Sequence, residues 1–180
     1  EVWNRFYGHR RALNLGFGWD RLQQIRWRLD NGEWAGITPT VAVIMAGGNN
    51  LLTGNAPVDT AAEIVAGIED LCVEIHRRSP VTNILLLEIF PRGATPDDPL
   101  RVGIAAINRG LRQTIPGRAQ VTLLDIGAAF LNPDQTMSPE IMEDFVHPGP
   151  RGYRIWAEAM EPVLAKLLGE TGPPVQYPCI

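Results

Sequence analysis

The stretch EDFVHPGP, residues 143–150, sets a carboxylate, Asp144, three residues before an imidazole, His147. An aspartate that holds one ring nitrogen of a histidine leaves the other free to accept a proton, as the acid–base half of a nucleophilic triad does. The residue before a proline avoids helical geometry, so His147 is expected in an extended or turn conformation ahead of a helix starting at Pro150. The same residues also fit a surface histidine at the mouth of a helix, and spacing alone does not separate the two readings.

Two other polar, glycine-rich segments are candidates for the same site. NLGFGWD (14–20) contains Gly-x-Gly but has Arg21 where a dinucleotide fingerprint needs its third glycine. It is either a tight turn or a turn that aims a backbone N–H at an anion beside a helix start. GGNN (47–50) is either an ordinary turn or the carrier of a side-chain amide, Asn49, directed at a developing oxyanion.

The elements that must position these segments alternate. The runs 11–16, 40–46, 83–90 and 121–126 are apolar and strand-like. The spans 20–29, 60–78, 100–115 and 150–168 carry helical spacing. Asp20 is the expected N-cap of the first of these helices, and Thr60 with Glu63 forms the capping box of the second. Continuous apolar strands between amphipathic helices predict one α/β domain over 1–180 with a buried parallel sheet and an irregular tail from 169. Ligands of such sheets bind beyond the carboxyl ends of the strands, where the polar segments gather.

Composition narrows the classes. With 180 residues the chain is long enough for a real core, and its net charge of −4, with no basic run longer than His-Arg-Arg, argues against a nucleic-acid partner. No apolar run approaches a membrane span. Cys72 reads as a buried thiol and Cys179 as a tail thiol, and neither they nor the scattered His9, His76 and His147 have metal-ligand spacing.

In order along the chain, ALNLGFGWDRLQQIRWRLDNGEW (12–34), VAVIMAGGNN (41–50), ILLLEIFPRG (84–93), PLRVGIAAINRGL (99–111) and DFVHPGPRGYRIWAEAM (144–160) resemble the SGNH hydrolases, also called the GDSL esterase/lipase family. The likeness is to the subfamily of platelet-activating-factor acetylhydrolase catalytic subunits and their bacterial homologues. It implies a three-layer α/β/α, flavodoxin-like fold and serine-esterase chemistry on a small, acetyl-type ester, with no cofactor and no metal. His147 would be the general base and Asp144 its orienting carboxylate. Asn49 and the Trp19 backbone N–H would form the oxyanion hole, with Gly18 and Asn50 as substrate contacts. Trp19 departs from the family's glycine at that position. Relatives include dimers, so a homodimer using exposed aromatics such as Trp3 or Trp34 is one expectation, and local packing of those rings is the other.

The family's nucleophile lies in a Gly-Asp-Ser motif at the end of a first strand, and nothing in residues 1–11 matches it. The only serines are Ser79 and Ser138, and neither follows a buried strand. Glu1 is not an initiator methionine. The expectation is therefore that the strand and its serine lie upstream, possessed by the functional protein or held as an associated fragment. Since that strand would sit between the runs 11–16 and 40–46, direct pairing of those two runs would overturn this expectation. A non-catalytic binding protein on the same fold is the alternative.

Overall fold

A computed structural model of the chain describes residues 1–52 and 58–170. Three parallel strands, β1 (Val41–Ile44), β2 (Asn83–Leu87) and β3 (Val121–Leu124), form a sheet in the order β1-β2-β3. The helices are α1 (Val2–Phe6), α2 (Leu22–Asp30), α3 (Ala61–Arg78), α4 (Pro99–Thr114) and α5 (Pro150–Leu168).

The central strand shows why the sheet has two covered faces. Successive β-strand side chains point to opposite sides. Ile84 and Leu86 enter one core with Leu22 and Leu29 of α2, Ile64, Ile68 and Leu71 of α3, and Ile104, Ile107 and Leu111 of α4. Leu85 and Leu87 enter the other with Phe90, Phe130, Met142, and Met160 and Leu164 of α5. All four strand residues are 1% exposed or less, which is why the run has no polar alternation. The result is the expected α/β/α layering around a parallel sheet.

Local chemistry sets the helix ends. The Glu63 N–H donates to Thr60 Oγ1 (3.2 Å) and the Thr60 N–H to Glu63 Oε2 (2.8 Å), a complete capping box on α3. Asp98 Oδ1 accepts the Leu100 N–H at the start of α4. Pro150 opens α5, and Gly169, at φ +72, closes it.

Two expectations are corrected. The run 11–16 is not a strand: it has no ladder partner among the described residues, and Leu13, Leu15 and Phe17 remain exposed. Among the described residues β1 pairs with β2 alone, so the runs 11–16 and 40–46 are not joined. Asp20 does not cap α2. The cap is Arg21, whose N–H donates to Gln24 Oε1, while the Asp20 carboxylate instead accepts from Arg28 at 2.8 Å. Trp34 is buried, so its ring packs locally, whereas Trp3 is 41% exposed beside Tyr7. Cys72 is buried and its thiol is pushed up to about 11 by that burial. Residues 171–180, with Cys179, lie outside the described residues. No described helix is long and apolar enough to cross a membrane.

Candidate active site

The loop ahead of α5 brings Asp144 and His147 into contact. Asp144 Oδ1 accepts the N–H groups of Val146 (3.0 Å) and His147 (2.8 Å), and this bends the chain back with Phe145 at φ +57. The turn delivers the His147 ring to the other oxygen, with Nδ1 and Oδ2 2.6 Å apart. The spacing of three therefore works because one carboxylate oxygen builds the turn and the other holds the ring. The His147 hydrogen bond, then the two backbone donors, hold the Asp144 carboxyl far below the usual carboxylate range. Nε2 of His147 bonds to no atom among the described residues. The ring is exposed.

Asn49 lies in the short helical turn Gly48–Leu51 that follows β1. Its Nδ2 donates to the Asp20 carbonyl (3.1 Å), tying this turn to the 17–20 turn. One of the two Nδ2 hydrogens is thereby used and the other is available. Trp19 takes φ +67, a left-handed conformation suited to glycine, with its ring 76% exposed. Its N–H bonds to no atom among the described residues. Gly18 beside it is exposed, with open space around it.

Asn50 is placed differently from expectation. It is fully buried, its Oδ1 accepts the Leu22 N–H (3.1 Å), and its Nδ2 donates to Gln23 Oε1 and Asp59 Oδ2. Every polar atom of the amide is spent on anchoring the first turn of α2, which corrects its assignment as a substrate contact.

The turn after β2, Pro91–Gly93, bridges the two halves. The Gly93 N–H donates to the Phe145 carbonyl (2.9 Å), and the Arg92 guanidinium reaches Asn49 Oδ1. Burial pushes the Arg92 guanidinium down from its ordinary value and the charge of Asp144 acts the other way. Sequence reasoning marked this turn only as a segment. The signal that could have singled out Arg92 was a cation directly after a buried strand, on the edge where ligands bind.

Neither serine belongs to this cluster. Ser79 is fully buried at the C-terminal end of α3, where the chain enters β2, on the opposite edge of the sheet, and accepts a hydrogen bond from Thr82. Ser138 Oγ accepts the Glu140 N–H within its own turn.

The α/β/α sheet thus carries a histidine–carboxylate pair and a side-chain amide along one edge. The chain belongs to the GDSL-like lipase/acylhydrolase family, whose model matches residues 1–155. It is 36% identical over 171 residues to the platelet-activating factor acetylhydrolase IB subunit alpha2 of Rattus norvegicus, covering 95% of this chain and 72% of that protein. In fold it is similar to a GDSL-like lipase from Bacteroides thetaiotaomicron (TM-score 0.76, 15% identity, 92% of this chain and 80% of that one). It is likewise similar to an acetyl-xylooligosaccharide esterase from Geobacillus (TM-score 0.71, 22% identity, 93% and 77%). The family supports a hydrolase function.

Proposed function

We propose that this protein is a serine esterase that hydrolyses small, acetyl-type carboxylic esters, including those on carbohydrates, by Ser-His-Asp acyl transfer. The observation that carries the reading is the 2.6 Å His147–Asp144 pair with its second ring nitrogen uncommitted. The serine is carried by a strand outside these 180 residues that lies along the free edge of β1. Among the described residues no strand pairs along that edge, and the run 11–17 leaves Leu13, Leu15 and Phe17 exposed. Such an edge and apolar surface are costly for a domain whose net stability is roughly 5–15 kcal/mol.

In this mechanism the serine Oγ attacks the ester carbonyl and His147 Nε2 takes its proton. The negative charge on the carbonyl oxygen is met by the second Nδ2–H of Asn49 and the Trp19 N–H. The tetrahedral intermediate collapses, the C–O bond to the alcohol breaks, and His147 returns the proton to the leaving oxygen. Water then attacks the acyl-enzyme with the same base. Asp144 holds the ring tautomer and stabilises the imidazolium.

Ser79, buried at the opposite edge of the sheet, and Ser138, whose Oγ accepts within its own turn, favour a second reading, a binding protein with the same fold. Covalent labelling of the full-length protein with a fluorophosphonate separates them. Esterase chemistry gives one labelled serine outside Glu1–Ile180 and p-nitrophenyl acetate hydrolysis that His147→Ala abolishes. A protein that takes no label, or a His147→Ala variant that keeps full activity, is not the proposed enzyme.

A further inference from the structure

The turn that carries Arg92 is held from several directions. Arg101, 8% exposed, donates from Nε to the Arg92 carbonyl (2.9 Å), from Nη2 to the Gly93 carbonyl (2.5 Å) and from Nη1 to the Gln135 carbonyl (2.8 Å). Gly93 takes φ +84, where a Cβ would collide with the Asp98 side chain. From this fixed base Nη1 and Nη2 of Arg92 both lie 3.4 Å from Asn49 Oδ1. Gly48 makes the approach possible: a Cβ there would sit 2.9 Å from Nη2 and 3.0 Å from Cζ. Among the described residues Arg92 forms no ion pair, and the charge of Asp144 offsets only part of the burial of this cation.

A carboxamide is nearly symmetric in shape, and its partners decide which end faces where. The Asp20 carbonyl can only accept, so it selects Nδ2 of Asn49. The guanidinium can only donate, so it selects Oδ1. Together they leave one orientation of the amide, with one Nδ2 hydrogen unclaimed. We propose that Arg92 is a positioning residue that sets the Asn49 carboxamide in the orientation that offers this hydrogen to the oxyanion. The proposal rests on the esterase reading above and deepens it.

The test is made in the full-length protein. Arg92→Met is expected to lower kcat roughly 10- to 100-fold with KM changed by less than about threefold, a loss confined to the transition state. Gly48→Ala displaces only the flexible tip of Arg92. It should lower kcat in the native background and have almost no effect in the Arg92→Met background. A readout independent of turnover is the pair of Asn49 side-chain N–H resonances, which should move in both variants and stay in place in His147→Ala. If His147→Ala retains activity, the esterase reading fails, and the resonances still decide the role of Arg92. Unmoved resonances, an unchanged kcat in Arg92→Met where the wild type is active, or additive effects of the two substitutions would overturn it.

Discussion

Oδ1 of Asp144 accepts the main-chain N–H of His147 while Oδ2 of the same carboxylate meets its ring Nδ1 at 2.6 Å. One side chain thus shapes the turn and orients the ring. Asp144→Asn keeps an oxygen for the turn but cannot favour the protonated ring. We expect kcat to fall roughly 10³- to 10⁴-fold with the fold intact, read from ester hydrolysis alongside circular dichroism. A loss below tenfold would remove Asp144 from the mechanism.

Asn49→Ala removes the proposed oxyanion donor and the bond to the Asp20 carbonyl. The expected result is a drop in kcat of about 10²- to 10³-fold and a stability loss of about 1 kcal/mol. Asn49→Asp should be at least as slow, because it sets a negative charge where one develops. Steady-state kinetics on an acetyl ester check both.

Trp19 holds a left-handed backbone while the residue is 76% exposed. Little packing is lost when the ring is removed, so backbone strain decides the ranking of variants. Trp19→Gly should be more stable than Trp19→Ala by about 1 kcal/mol, the reverse of the order inside a helix. Urea unfolding of the two variants measures the difference.

Glu74 is 6% exposed in its side chain and lies 2.6 Å from Arg77 and Arg78 and 3.3 Å from Arg26. The Arg77 hydrogen bond, with the three positive charges, lowers its carboxyl from 4.5 to about 2. A depressed carboxyl contributes stability that is fully present above its unfolded value and lost as pH falls toward the folded one. Glu74→Gln should therefore cost about 2 kcal/mol at pH 7. The gap between wild type and variant should narrow steadily from about pH 4.5 downward. Urea titrations across that range test the sign, and a gap that widens toward acid would contradict it.

Much of this was legible along the chain because it depends on neighbours in sequence. The capping box of Thr60 and Glu63, the proline at the start of α5 and the unbroken apolar run of β2 are local signals. The Asp144–His147 pair was visible as a candidate for the same reason, since its spacing is short, and the turn in the structure brings the contact about. The run 11–16 misled because an apolar segment becomes a strand only when another strand offers its backbone. Asn49 and Asn50 show the limit most sharply. They are adjacent and identical in type, and one reaches the site edge while the other is fully buried under α2.

The sequence by itself determined the alternation of strands and helices, the edge on which polar turns collect, and the three-residue spacing that puts Asp144 within reach of His147. These follow from periodicity, capping and short-range hydrogen bonds. Only the tertiary structure decided which asparagine is free to donate, that Trp19 holds a conformation made for glycine, and that Arg92 reaches from the turn after β2 to the amide after β1. Those outcomes depend on close approach between segments some 30 to 40 residues apart, such as Asp20 with Asn49 and Asn49 with Arg92. Whether a side chain fits there is set by space, as the missing Cβ of Gly48 shows, and space is a property of the packed sheet edge.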